Sequence, residues 1–477
     1  MVKSRRPPYR KYITILSLAL AGFSVLFVST MLKGVVFNIL TQLDNTFYAQ
    51  FLLIRERLKE DKKATYSDVV IVGIDDRTLN KLGAYNPLKY RRYHINLLEN
   101  ILKGQPSAVV YDILFGDPHD DPEVDRELSL TMKKGPVFSV CFGSNYDRSG
   151  GMFEPFAYKV PEGLSMKLAD ENGFELMSPV VLGSLKSVGL ANAYPDNDGL
   201  LRRMPIFFKV KDGLYPTIAL EVFRKTRGIP RGEVLIKNGR IEAGGTVIPV
   251  DGHCRAYINI DKTHRIREMS FYDVWAGRVP DRFFHDKIVF IAAAATGLGD
   301  NKLVPLYGYI SGVKIHANLF LNMVYKNFIY EISGKNYYVL IFFASFFYTL
   351  FFYSRHELSP IKRLMDYIST ESLTTRFGNA LIKMPLADRI YKTFGSKCNR
   401  SYALSLFFLL FSETRKRIQP LLFQLVLLYL ALFLIFYYFN VVIKPSALLI
   451  QVFISYVIVS EFKRIDFSKI APCRANS

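Results

Sequence analysis

The chain has 477 residues, half of them apolar, with 62 Lys and Arg against 42 Asp and Glu and a formal charge of +20. That balance is too apolar for a wholly soluble protein and too charged for a pure transporter, so it fits a chain partly embedded in a membrane and partly folded in water. It also excludes nucleic-acid binding. The basic excess forms no stripe interleaved with aromatics but lies in residues 1–12 (five basic, no acid), 354–418 (12 against 5) and 461–477 (4 against 2).

In chain order, the first element is Ile13–Leu32, twenty uncharged residues preceded by basic side chains. At a rise of about 1.5 Å per residue it spans about 30 Å, the hydrocarbon thickness of a bilayer. It is long for a signal-peptide core and no small-x-small cleavage pattern follows, so it reads as an uncleaved transmembrane helix over 13–32, with a cytoplasmic N-terminus at 1–12. Leu40, Leu43, Phe47, Phe51, Ile54 and Leu58 then recur at spacings of three and four, which predicts a helical stalk over Asn38–Lys59.

Strand-like runs follow at Val69–Ile74, Ala108–Leu114, Val137–Phe142 and Ile288–Ala293, with the helical pattern Tyr93–Leu102 between the first two. Strand, helix, strand over so short a stretch predicts a βαβ unit and a parallel sheet. Residues 189–260 differ: short alternating runs broken by Gly, Pro, Asn and Asp, as in IPRGEVLIKNGRIEAGGTVIPVDG, predict β-hairpins. The expected domain is one α/β core with a parallel or mixed sheet and a β-rich insertion, over residues 33–335. Cys141 and Cys254 fall inside it. No two of the four cysteines have metal-ligand spacing, and these two read as buried free thiols in preference to a disulfide.

Three further apolar segments close the chain: 337–353, 421–439 and 441–460, the last the weakest because it is short and follows the break at Asn440–Pro445. With 13–32 they predict about four transmembrane helices. The domain then lies outside, and the basic loop 354–418 and tail 461–477 lie inside, as the positive-inside bias requires. The apolar piece Ala403–Phe411 is too short to cross and reads equally as an interfacial helix or as part of a small inserted domain.

Ligands of open parallel sheets gather at the carboxyl ends of the strands. Asp75 and Asp76 end the first run, Asp112 lies inside the second with Asp117, Asp120 and Asp121 after it, and Thr296 and Asp300 follow the last within the run TGLGD. Such carboxylates suit a cation, a cationic ligand or sugar hydroxyls. The competing reading is that they cap helices and turns. Asp112 stands apart because Val109, Val110, Ile113 and Leu114 flank it, and an acid in such company must be paired or lie beside a cavity. Arg91, Arg92, Arg202 and Arg203 are partners for such acids, with Arg203 also a candidate ligand contact. His316 lies on an apolar helical face and reads as a satisfied core histidine. GLGD is half of a phosphate-loop pattern. There is no GxSxG, HExxH, GxxxxGK[ST] or complete GxGxxG, so neither an enzyme nor a bound cofactor is expected.

The run DVVIVGIDDRTLNKLG (68–83), followed by RRYHINLLENIL (91–102), AVVYDILFGDP (108–118), GLANAYPDNDGLLRRMPIFF (189–208), YPTIALEVFR (215–224), YDVWAGRVPDRFFHDKIVFIAAAATGLGD (272–300) and GVKIHANLFLNMV (312–324), resembles the CHASE2 domain, the extracytoplasmic sensory domain of bacterial signalling receptors. The resemblance implies an inner-membrane, multi-pass sensor with its main domain on the periplasmic side, an unknown small ligand there, and pairing of two copies. The family's usual output domain has no counterpart after Ser460, where too few residues remain to fold independently. The expectation is therefore a sensor that relays its stimulus through transmembrane helices to a separate cytoplasmic partner. The alternative is a non-catalytic scaffold of the cell envelope. An outer-face enzyme using the acids with a metal is the third and weakest reading.

Overall fold

The computed structural model describes residues 15–26, 35–58, 65–260, 264–354 and 421–462, apart from Leu16, Thr296, Gly299, Ser333 and Phe423. Strands β1 (Thr65–Ile74), β2 (Ala108–Asp112), β3 (Val137–Cys141), β4 (Ser187–Leu190), β5 (His264–Ser270) and β6 (Ile288–Ala293) form one sheet in the order β5-β1-β6-β2-β3-β4. Every neighbouring pair is parallel, with Ile74 beside Ala293 and Asp112 beside Ala292.

The near-continuous apolar runs have a simple cause, since a parallel sheet is covered on both faces. Alternate residues separate cleanly. Val70, Val72, Ile74, Val109, Tyr111, Val289 and Ile291 join one core with Tyr90, Leu97 and Leu98 of helix Pro87–Lys103 and Leu128 of helix Pro122–Lys133. Val69, Ile71, Ala108, Val110, Ile288, Phe290 and Ala292 join the other. That second core takes in Ile218 and Val222 of helix Ile218–Thr226 and Val313 and Leu319 of helix Gly312–Tyr325. The insertion is made of hairpins, as its pattern predicts. Leu235–Lys237, Arg240–Ala243 and Thr246–Pro249 form an antiparallel three-stranded sheet. Its turn at Gly244 (φ 52°) and Gly245 (φ 74°) has both residues left-handed, which glycine adopts without strain. The stalk helix spans Val35–Leu58. Cys141 and Cys254 are free and buried.

The chain divides into two compact units: Tyr48–Glu331 with Ile435–Val442, and Met1–Phe47 with Ile332–Leu434 and Ile443–Ser477. The expectation of about four transmembrane helices is corrected here. Among the described residues, no helix is long and apolar enough to cross a membrane. In the second unit, polar groups join the apolar segments to one another. Ser24 and Ser345 share a hydroxyl hydrogen bond at 3.1 Å, and the Tyr348 hydroxyl meets Gln424. The Tyr337 hydroxyl donates to the Lys444 carbonyl at 2.8 Å, and the Ser446 amide donates to Asp44 at 2.8 Å. In helix Pro445–Phe462, Gln451 and Ser455 are buried. An apolar count over a window misses these pairings. The segments expected inside at 1–12, 354–418 and 461–477, and the piece Ala403–Phe411, lie outside the described residues apart from Ser354, Glu461 and Phe462.

Candidate functional site

The carboxyl edge of the sheet carries the acids, but it does not treat them alike. Asp75 is the N-cap of helix Asp76–Leu82. Its Oδ1 accepts from the Thr78 amide at 2.9 Å, the Thr78 hydroxyl at 2.6 Å and the Ser270 hydroxyl at 2.8 Å. The last of these ties β1 to the end of the edge strand β5. This is the capping arrangement that short acids make at helix starts. Asp76 lies exposed in the first turn of the same helix, where a negative charge suits the helix dipole.

Asp112 closes β2 beside Ala292 of β6. Side chains alternate along a strand, so Asp112 faces the same side as Ala108 and Val110, toward the core that holds helices Ile218–Thr226 and Gly312–Tyr325. Among the described residues its carboxyl has neither a hydrogen bond nor an ion pair; the groups acting on it are charges, Asp300 and Lys302. Burial, and then the negative charge of Asp300, push it from an ordinary 3.8 up to about 7.

Asp300 sits where helix Gly312–Tyr325 begins. Its carbonyl accepts from the Gly312 amide at 2.7 Å, and its carboxylate pairs with Lys302 at 2.5 Å. A Cβ on Gly312 would collide with that carboxylate, so glycine is what lets the acid approach the helix end. One turn further on, at i+4 on the same face, is His316. Helical side chains lean toward the N-terminus, which directs the imidazole back over the turn that holds Asp300. His316 is 2% exposed, and its Nδ1 has no partner among the described residues. Burial pulls it down to about 4, so it stays neutral through the physiological range. The edge is graded: Asp300 is more than half exposed, Lys302 about a quarter, Asp112 partly buried, His316 fully so.

Thr296, the remaining strand-end candidate, lies outside the described residues. Arg203 belongs to a different network. Its guanidinium lies 4.3 Å over the Tyr257 ring, donates to the Tyr257 hydroxyl, and pairs with Glu331 at 2.9 Å and Asp196 at 3.3 Å. Arg202 beside it binds Asp198 at 2.7 Å and Asp196 at 3.2 Å. Arg91 and Arg92 pair with Asp125 at 2.6 Å and Asp121 at 2.7 Å, and Arg91 also donates to the Asp117 carbonyl. Ion pairing is the structural role of all four arginines.

Sequence reasoning passed over Lys302 and half-dismissed His316. The histidine is core, as read, but its Nδ1 is not satisfied. The available signals were Lys302 two residues after Asp300 and the four-residue step from Gly312 to His316. A groove of about 860 Å³ runs along β5, walled by Arg265, Arg267, Glu268, Asp273 and Arg278. Charges of this kind blunt an open sheet edge. Among the described residues, no group of three or more His, Cys, Asp or Glu is placed to hold a metal ion.

A parallel sheet of this order, entered by a stalk helix and carrying a hairpin insertion, agrees with what sequence comparison finds. A CHASE2 domain is matched over residues 20–350, most of the chain. The protein belongs to the CHASE2 family, which gives it a sensory role in general terms. No curated protein and no solved structure matches the chain.

Proposed function

We propose that the protein is a ligand sensor whose stimulus binds at the carboxyl edge of the parallel sheet, around Asp112, and whose response passes to a separate partner protein. The carrying observation is the Asp112 carboxyl. It is a partly buried acid at the end of a core strand, with no hydrogen bond or ion pair among the described residues. A polar group so placed is ordinarily paired, and a ligand supplies the missing partner.

The relay is supported by how the domain's ends are tied. Tyr330–Glu331 pairs in parallel with Val441–Val442, and Glu331 is held by Arg203 and by the Tyr257 hydroxyl at 2.9 Å. At the other end of the domain Tyr48 packs on Tyr257, and Arg55 donates to Asn259 at 2.9 Å and lies 5.1 Å over Phe436. A ligand that favours one of two shapes of this unit would move the segments at both ends together. Extracytoplasmic placement of the domain, association with the lipid bilayer, a cytoplasmic partner and pairing of two copies belong to the same proposal. The scaffold reading draws support from the Asp75 end of the edge, which is closed by its own hydrogen bonds.

The test compares the full chain with Asp112→Asn in a thermal-shift screen of small polar compounds. Sensing predicts compounds that raise the melting temperature of the wild type and not of the variant. If every compound acts equally on both, the scaffold reading takes its place. Affinity capture on the full chain, with and without an active compound, should recover a partner whose yield changes with the compound.

A further inference from the structure

A second concavity of the same unit has none of the Asp112-edge groups among its walls. It is a cleft of about 360 Å³ between loop residues 149–159 and the hairpin of strands Phe207–Val210 and Gly213–Pro216, within the size range of small-molecule sites. Both of its sides are pinned. The Tyr158 amide donates to the Leu214 carbonyl at 2.7 Å, and the Leu214 amide donates back to the Tyr158 carbonyl at 3.0 Å. Lys211, at the hairpin turn, pairs with Asp147, which also accepts from the Ser149 amide at 3.0 Å and hydroxyl at 2.6 Å.

The lining is of two kinds. Inside are aromatic rings: Phe153 packs on Phe174 at 4.4 Å, and Phe174 on Tyr215 at 4.8 Å, between centroids. At the mouth are three exposed charges, Glu154, Lys159 and Asp212, whose side chains have no ion pair or hydrogen bond among the described residues. The two tyrosines of the lining differ. The Tyr158 hydroxyl donates to Glu221 at 3.2 Å. Tyr215 is only 6% exposed, yet its hydroxyl has no hydrogen bond among the described residues. Burial, and then the charge of Glu154, raise its pKa, so the hydroxyl keeps its proton.

We propose that this cleft binds a free amino acid with an apolar side chain. Its ammonium meets Glu154 and the Tyr215 hydroxyl, its carboxylate meets Lys159, and its side chain lies on the aromatic lining. A purely apolar ligand would leave the Tyr215 hydroxyl buried and unpaired. A simple cation leaves Lys159 unanswered, and a simple anion opposes Glu154 and Asp212. A zwitterion answers both signs at once, and an apolar side chain gains by leaving water for the rings.

Isothermal titration of the full chain with L-phenylalanine, phenethylammonium, hydrocinnamate and glycine tests this, since the last three lack in turn the carboxylate, the ammonium and the apolar side chain. The amino acid should bind at least about threefold tighter than the amine or the acid, and at least about tenfold tighter than glycine. The selectivities should cross. Lys159→Gln weakens the amino acid about threefold and leaves the amine unchanged, while Glu154→Gln weakens the amino acid and leaves hydrocinnamate no weaker. Ala157→Trp, which fills the cleft, removes binding of every compound with its melting temperature retained; if it does not fold, the two charge variants decide. No binding of L-phenylalanine, binding of the amine or the acid as tight as the amino acid's, or charge variants that weaken all compounds alike or none, overturns the proposal. Amino-acid binding lost in Asp112→Asn but kept in both charge variants assigns the ligand to the sheet edge and overturns the cleft.

Discussion

Two carboxylates stand at the ends of the two strands that flank β6 in the same parallel sheet and meet opposite fates. Asp75 follows β1, caps the helix that begins at once, and takes three hydrogen bonds on one oxygen. Asp112 ends β2, where the chain runs on into a loop with no helix start to cap, and among the described residues it meets only the charges of Asp300 and Lys302. The difference teaches that a strand-end acid is structural when the next backbone amides turn back to meet it. It becomes available for a ligand when they do not.

The largest expected effect comes from making a paired acid resemble Asp112. Asp125 is buried and held by Arg91 at 2.6 Å, both side chains 5% exposed or less. Arg91→Ala should cost about 3–5 kcal/mol by leaving that buried charge without its counter-ion, held only by the His119 amide at 3.0 Å, read by urea unfolding at pH 7. A loss below about 1 kcal/mol would show that an unpaired acid is cheap in this fold and that Asp112 is not unusual.

The reverse change comes next. The pKa of Asp112 is raised in the folded state, so its stabilising contribution is full below about 3.8 and lost as pH rises through about 7. Asp112→Asn mimics the protonated acid at every pH. It should therefore gain on the order of 1–3 kcal/mol at pH 8, shrinking as pH is lowered toward 4. Equal stability of both proteins across that range would place Asp112 in ordinary solvent.

His316 has the opposite sign. Its depressed pKa contributes stability above 6.5 that is lost as pH falls through about 4. His316→Asn should flatten that acid limb by on the order of 1–2 kcal/mol, visible as a weaker fall in the urea midpoint between pH 6.5 and 4. The smallest pair is at the closed end. Asp75→Ala should cost about 1–2 kcal/mol at pH 7 through its lost cap. Asp76→Ala, one residue on and exposed, should stay within about 0.5 kcal/mol. Equal losses at 75 and 76 would erase the cap argument.

Much of the fold was legible. The runs at 69–74, 108–114, 137–142 and 288–293 are all strands of the sheet, because a strand buried on both faces must be apolar throughout. The hairpins of 189–260 were legible through their turn residues. The membrane spans read from apolar counts failed: no described helix is long and apolar enough to cross a membrane, and polar pairs such as Ser24 with Ser345 and Tyr348 with Gln424 join those segments. The free thiols of Cys141 and Cys254 agree with their apolar surroundings, where burial pushes Cys254 up to about 12.

At the candidate site, the sequence by itself determined that Asp112 is a polar residue in an apolar strand, since alternation and composition are local properties. Only the tertiary structure decided that Asp75 is occupied and Asp112 is not. It also decided that Arg203 serves another network, and that Lys302 acts on an acid far away in the chain. The physical reason is that a charge is compensated by whatever lies across a few ångströms of space. Here the charges that act on Asp112 come from residues 300 and 302, which follow β6, the strand paired with β2.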